Sequence, residues 1–417
     1  MKHYNFDEII DRKGTGCVKV DGLSQTFGQS DLIPLWVADM DFRTPDFIID
    51  ALRKRCEHEI FGYPIATDEY FESIMNWVLY KHSWKLQKEW ICYIPGIVKG
   101  IAFALQCFTQ PGDKVIIQPP VYHPFRLVPE NMKREVVYNP LKEIDGHYEM
   151  DFEQLESIID ERCKVLILSN PHNPAGIIWP KETLIRLAEI CHKHHILVIS
   201  DEIHAEMAFP QYTHHPIATV SPEAAACSVT FMAPSKTFNI AGIVTSYAVV
   251  PNDQIRERFF SFLEAGEFSS GTIFAYTATI AAYTYGAEWL QQMRTYVMDN
   301  VRYVDEYLQA NIPQIKAYLP QASFLIWLDC RKLGLSQAEL IDLFQKKAKL
   351  ALNDGSMVGP GGEGHMRLNV GCPRSVLEEA LNRLKQALNK KKVVYLPLRK
   401  KRNNTLNYIY RKHEDYT

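Results

Sequence analysis

Residues 164–201 read KVLILSNPHNPAGIIWPKETLIRLAEICHKHHILVISD, and their pattern decides the fold. Lys164 to Ser169 is a short apolar run without polar alternation, as in a strand buried on both faces. A turn rich in proline follows, then a helix over Lys181 to His194 and a second apolar run, Ile196 to Ser200. Strand, helix and strand in that order form one unit of a largely parallel sheet. The alternation continues outward. On the N-terminal side, Val98 to Phe108 reads as helix, Pro111-Gly112-Asp113 as a turn, Lys114 to Gln118 and Glu135 to Tyr138 as strands, and Asp151 to Ile159 as helix. On the C-terminal side, Cys227 to Phe231 and Ser246 to Val250 are strands. The spacing predicts an α/β fold, with a large domain whose mostly parallel central sheet is covered by helices. Ligands on such sheets gather at the C-terminal strand ends.

The flanks differ. Helices are expected over Pro45 to Glu57, with Thr44 as N-cap and Pro45 as the first helical residue, and over Asp68 to Lys81, capped at Thr67 or Asp68. Residues 252–312 read as helical, broken near Ala265 to Gly271. Strands at Ala317 to Leu319, Phe324 to Leu328 and Arg367 to Val370, with helices at Ser336 to Lys349 and Arg374 to Lys390, suggest a smaller α+β domain. The expected division is an N-terminal arm over 1–44 that contributes to the small domain, a large domain over 45–289, the small domain over 290–390 and a basic tail over 391–417. That tail holds eight Lys or Arg against two acidic residues and reads as a solvated extension. A single basic cluster, Arg399-Lys400-Lys401-Arg402, is weak evidence for nucleic-acid contact without a folded platform behind it.

Composition bounds the function. The 417 residues are 47% hydrophobic and 23% charged, as in a packed globular protein. Basic residues number 46 and acidic ones 49, a net charge of -3 that argues against nucleic acid as the main partner. Nine cysteines without a CxxC pair fit a reducing cytosol, so a cytoplasmic location is expected. The opening MKHYNFDEIIDRKG has no apolar core of signal-peptide length, and no run is long enough to suggest a membrane span. His192, His194, His195 and the pair His214-His215 lack metal-ligand spacing, so no metal site is expected. Cys372 reads as packing.

Several segments beside predicted element ends can carry chemistry. In Ala233-Pro234-Ser235-Lys236-Thr237-Phe238-Asn239, a desolvated Lys236 amine could form a Schiff base. Val198 to Ser200 delivers Asp201 to a sheet end, where an acid can pair with a protonated ring nitrogen; His204 lies three residues on. In Ser169 to Gly176, two Asn-Pro steps stiffen a turn from which Asn173 could donate to a hydroxyl or phenolate. Gly96-Ile97-Val98 opens an apolar helix whose free N–H groups suit phosphate. Tyr122, in Pro119 to Pro124, can stack on a flat ring. Arg367, at a strand start, offers a forked guanidinium for a carboxylate. Together these match an amino acid carried on pyridoxal 5'-phosphate.

At this level the chain resembles the fold-type I pyridoxal-phosphate enzymes of the class I/II aminotransferase-like group, and within them the MalY/PatB branch of cystathionine β-lyases (C–S lyases). The matching segments are Pro34 to Phe42, Ser169 to Gly176, Ser200 to His204, Ser235 to Asn239 and Asn369 to Arg374; the resemblance covers roughly residues 1 to 390. It implies that Lys236 holds the cofactor and that Asp201 pairs with the pyridine nitrogen. Asn173 and His204 would bear on the ring oxygen, and Tyr122 would stack on the ring. The N–H groups of Ile97 and Val98, with the Ser235 hydroxyl, would hold phosphate, and Tyr63 would reach the phosphate of a neighbouring subunit in a homodimer. Arg367 would bind the substrate carboxylate. Trp36 and Asp39 would shape the substrate side, a packing role for Trp36 being an equal reading. The implied activity is cleavage of cystathionine, cysteine or related sulfur amino acids to a thiol, pyruvate and ammonia. Amino transfer, or an added regulatory protein-binding role, is the alternative. One position departs from the wider group: eight residues beyond the lysine, where a phosphate-binding arginine is usual, stands Val244.

Overall fold

The computed structural model describes residues 2–144 and 146–394. Seven strands form its central sheet: β1 Ile91–Ile94, β2 Lys114–Ile117, β3 Glu135–Tyr138, β4 Cys163–Ser169, β5 Leu197–Asp201, β6 Ser228–Met232 and β7 Ser246–Val249. They lie in the order β1-β7-β6-β5-β4-β2-β3. From β6 to β3 every pairing is parallel; β7 alone is reversed against both its neighbours. Segment 233–245 forms only the short turn Ala241–Ile243. That is too little helix to carry the chain back over the sheet, so β7 returns antiparallel.

Both faces of the sheet are covered, which is why its strands lack polar alternation. Val165, Ile167 and Ile199 pack on one side with Ile101 and Leu105 of helix Ile97–Phe108 and with Phe259 and Leu263 of helix Asp253–Ala265. Leu166, Leu168 and Val198 pack on the other with Leu184, Leu187 and Cys191 of helix Lys181–Lys193.

A second, antiparallel sheet follows in the chain: β8 Lys316–Tyr318, β9 Leu325–Asp329, β10 Asn353–Asp354 and β11 His365–Asn369, ordered β8-β9-β11-β10. Leu325, Ile326 and Leu328 share a core with Leu308 of helix Ala287–Asn311 and Leu377 of helix Arg374–Val394. Ile33–Pro34 of the arm pairs in parallel with Leu350–Ala351.

Several local expectations are corrected. Pro45, not Thr44, is the N-cap of helix Asp46–Cys56, with extended ψ of 136°; the Thr44 hydroxyl donates instead to the carbonyl of Asn239. The Ser336 helix starts with a capping box but is regular only over Gln337–Asp342, then widens to a π turn at Leu343–Lys347. The arm contains short helices at Val18–Asp21 and Leu23–Phe27. Strand β1, helix Pro124–Asn131 and the hairpin Lys142–Ile144/His147–Glu149 are all too short for periodicity to announce. The last helix runs to Val394, past the expected end at Lys390; residues 395–417 of the basic tail lie outside the described residues.

The two sheets meet through the loop after β4. The Gly176 carbonyl accepts from the N–H groups of Gln321 (2.8 Å) and Ala322 (3.1 Å). Gly176 has a φ of +67°, and a Cβ there would come within 2.4 Å of Pro320 Cβ and 2.7 Å of the Ala322 carbonyl oxygen. Both the backbone conformation and the contact demand glycine. Gly176→Ala is expected to lower the unfolding free energy by about 2–3 kcal/mol, measured as a drop in the urea midpoint.

Candidate active site

Register builds the site. Ser169 pairs with Asp201, and Asp201 with Phe231, so the ends of β4, β5 and β6 stand side by side. The loops leaving them converge on a cavity of about 170 Å³ lined by Ala38, Ile97, Val98, Tyr122, Ser169, Asn173, Asp201, Ile203, His204 and Lys236. A larger groove, about 630 Å³, lies on the far side of the 169–180 loop among Tyr148, Trp179, Tyr212 and Tyr318; it holds none of the residues singled out from the sequence.

Lys236 is half-buried, and its ammonium donates to the Ala38 carbonyl. Burial pushes the amine down to about 8; Asp39 opposes that push and Arg367 reinforces it. Asp201 accepts from the Ile203 N–H at 3.1 Å, and burial lifts its carboxyl to about 6. His204 is held neutral, its ring pushed to about 3 by burial and by the nearby charges of Lys236 and Arg367. Its Nδ1 is buried without a hydrogen-bond partner. A buried acid, an orphaned ring nitrogen and a lysine bonded only to a neutral carbonyl suit a polar ring that supplies a cationic donor to Asp201.

Around this centre, Tyr122 is tied to the Asn173 loop by its N–H on the Asn173 carbonyl (3.1 Å), and burial raises its phenol. Gly96, with a φ of 110°, caps helix Ile97–Phe108. The first N–H groups of a helix have no partner within it, so those of Ile97 and Val98 suit an anion. Ser235 is buried next to Lys236 but does not line the cavity. Val244 adopts a left-handed backbone, φ 62°, and its carbonyl accepts from the Tyr93 hydroxyl at 3.0 Å. An apolar side chain there brings no charge to an anion.

Arg367 is buried, which lowers its guanidinium to about 10. It donates to Asn173 Oδ1 (3.1 Å), the Trp36 carbonyl (2.9 Å) and Asn353 Oδ1 (2.6 Å), while its Nε has no partner. A buried cation surrounded by neutral acceptors is suited to receiving a carboxylate.

Trp36 and Asp39 reach the site from the arm. It is the Trp36 carbonyl that meets Arg367; the indole donates to the Lys19 carbonyl (2.9 Å) and packs edge-on to Phe27. The Asp39 carboxylate is engaged by Arg12 at 2.8 Å and Lys19 at 3.6 Å. Its charge therefore acts on Lys236 from within an ion cluster. Tyr63 is fully exposed, beside exposed Ile60, Phe61 and Ile65, and takes no part in this chain's own cavity.

Other residues went unnoticed in the sequence. Asn369 donates to the carbonyls of Val37 and Asp39, and Asn239 to those of Met40 and Phe42. Lys19, wholly buried, bridges Asp39 and Asp41. Together they hold the 36–42 strap over Lys236. Both asparagines stand inside the quoted segments and could have been marked; nothing in the local sequence marks Lys19.

Residues 30–384 match the family model for aminotransferase class I and II. Cystathionine beta-lyase PatB of Bacillus subtilis is 43% identical, covering 92% of this chain and 100% of its own length. A pyridoxal-phosphate-bound protein of Clostridium difficile 630 superposes with a TM-score of 0.91 at 41% identity, covering 93% of this chain and 100% of that one. Cystalysin of Treponema denticola, which contains pyridoxal 5'-phosphate, gives 0.90 at 35%, covering 94% and 100%. The chain belongs to the class I and II aminotransferase family, of fold type I, and lies close to its MalY/PatB cystathionine β-lyase branch.

His172 and His204 are both buried, with rings lowered from 6.5 to about 3, chiefly by burial. Each stays neutral when folded and takes up its proton on unfolding, so stability falls as pH drops below 6.5 by about 1.4 kcal/mol per pH unit per ring. Asp201, lifted from 3.8 to about 6, works the other way within that narrower window. His172→Phe is expected to flatten the acid limb of a plot of urea midpoint against pH; an unchanged slope contradicts the assignment.

Proposed function

We propose that this chain is a pyridoxal-phosphate-dependent carbon–sulfur β-lyase acting on an amino acid that carries a sulfur leaving group at Cβ, such as cystathionine or cysteine. The observation that carries it is the convergence of Lys236, Asp201, His204, Asn173 and Tyr122 on one small buried cavity beside the start of a helix. The relatives named above add support: one is a cystathionine β-lyase and another contains the cofactor.

Lys236 would hold the cofactor, Asp201 its ring nitrogen and Asn173 with His204 its ring oxygen. Tyr122 would cover the ring, and the N–H groups of Ile97 and Val98 with Ser235 would hold the phosphate. Bound there, pyridoxal phosphate supplies an electron sink for negative charge developing at the substrate Cα. Arg367 takes the substrate carboxylate and so fixes which bond at Cα faces Lys236. With an amine near 8, about a tenth of Lys236 is neutral at pH 7, against roughly one in three thousand for an ordinary lysine. Released when the substrate amine takes its place on the cofactor, the Lys236 amine would be the base that removes the Cα proton. The Cβ–S bond then breaks, the thiolate leaves, and hydrolysis of the remaining fragment yields pyruvate and ammonia.

The exposed Ile60, Phe61, Tyr63 and Ile65 favour a homodimer in which Tyr63 reaches the phosphate of the partner's site. Among the described residues no helix is long and apolar enough to cross a membrane.

Purified protein given cystathionine and the cofactor should release free thiol and pyruvate in equal amounts. Amino transfer that needs a 2-oxo acid, without thiol release, would overturn the lyase reading in favour of an aminotransferase. Lys236→Ala should abolish the cofactor's lysine-bound absorbance and lower turnover by at least about 10³-fold. Arg367→Ala should raise KM and lower kcat together, since the carboxylate contact both binds the substrate and orients its Cα.

A further inference from the structure

Directly behind the cavity wall lies a buried charge that the reaction does not use. Glu202 follows Asp201 and is 1% exposed. Its Oε1 accepts from Ser200 Oγ (2.9 Å), the Ile217 N–H (2.9 Å) and Asn170 Nδ2 (3.3 Å), and its Oε2 bonds to His214 Nε2 at 2.8 Å. Of these four partners none lines the cavity. Asn170 in turn donates its backbone N–H to the Asp201 carbonyl (3.0 Å) and begins the loop that carries Asn173. One carboxylate thus ties the end of β5, the start of the Asn173 loop and the 217 turn to a single point.

The cluster continues inward. The His214 ring meets the His82 ring edge-on at 5.3 Å, and His82 Nε2 bonds to Glu206 Oε1 at 3.0 Å. Lys81 and Arg294 face Glu206, and the Tyr247–Tyr283 hydroxyl pair lies beside both glutamates. Burying a charge so completely is a poor device for stability, because desolvation consumes most of what the pairing returns. Residues that break the rule of apolar interiors are expected where a site must be held. The negative charge of Glu202 also adds to burial in lifting the Asp201 carboxyl. Two acids on consecutive residues at one strand end favour a cation in front of Asp201.

We propose that Glu202 is a positioning residue: it holds Asp201 and the Asn173 loop against the cavity from behind and strengthens the grip of Asp201 on the ring nitrogen of the cofactor. This rests on the pyridoxal-phosphate reading above and adds to it a residue outside the cavity.

The test compares cofactor affinity of the whole chain for pyridoxal phosphate and for its 1-deaza analogue, in which C–H replaces the ring nitrogen. The variant is Glu202→Gln, which preserves the shape and the acceptor of Oε1. Glu202→Gln is expected to bind pyridoxal phosphate about tenfold more weakly than wild type while its affinity for the deaza analogue is unchanged. The visible circular dichroism of the bound cofactor should fall in parallel, and the melting temperature of the cofactor-free chain should hold. His214→Gln, which leaves Glu202 in place but loosens it, should show a smaller loss of the same kind. Equal losses for both ligands, or a collapse of the melting temperature in both variants, would reduce Glu202 to a structural residue and overturn the inference. Unchanged affinity for both would overturn it as well. Failure of the wild-type chain to take up either ligand would instead remove the cofactor reading itself, and this inference with it.

Discussion

The rest of the site depends on keeping one lysine amine dry. Lys236 lies under a strap of backbone, and its hydrogen bond goes to a neutral carbonyl rather than to a carboxylate. Water would solvate the ammonium and return the amine to its ordinary range, so the strap has to be held closed. Arg12, Lys19, Asn239 and Asn369 do this by donating to the carboxylates and carbonyls of residues 37–42. Arg367 joins them through the Trp36 carbonyl, so the proposed substrate clamp also helps seal the lysine. The chemistry of the cavity and the packing of the arm are therefore one problem.

The parallel sheet solves a second problem, that of bringing distant residues together. Asn173, Asp201 and Lys236 come from three successive strand–loop units, and register places their strand ends abreast. The reversed strand β7 follows from the same loop: a chain that spends residues 233–245 presenting Lys236 has no crossover helix left with which to run parallel. The second sheet supplies Arg367 from the middle of β11, where Trp327 on β9 and Asn353 on β10 flank it in register. Backbone hydrogen bonds at Gly176 then lock this sheet against the loop that carries Asn173, and Arg367 bonds to Asn173 across the junction.

Charge inside the molecule is arranged in two clusters, one on each side of the cavity. In front, Arg12, Lys19, Asp39 and Asp41 pair off above Lys236. Behind, Glu202 and Glu206 pair with His214 and His82. Neither cluster is a plausible source of net stability, given the cost of taking ions out of water. Both make sense as scaffolds whose geometry is specific and whose charges reach a buried site through a medium of low dielectric.

The central sheet was legible in the sequence because strands such as 164–169 and 196–200 carry unbroken apolar runs, and only a strand covered on both faces requires that. Asp201, at the end of such a run, and Asn173 and Lys236, in the loops that leave two others, were legible as a set gathered at strand ends rather than one by one. Tertiary structure decided the rest. It turned Asp39 into an ion-pair partner, made the carbonyl of Trp36 matter more than its ring, and moved the helix cap from Thr44 to Pro45, with the Thr44 hydroxyl donating to the Asn239 carbonyl. It also buried Lys19 and Glu202, a fate that no local pattern records. Local sequence encodes which faces must leave water. Which charges face one another once they have left depends on contacts between residues far apart in the chain, and no periodicity records those.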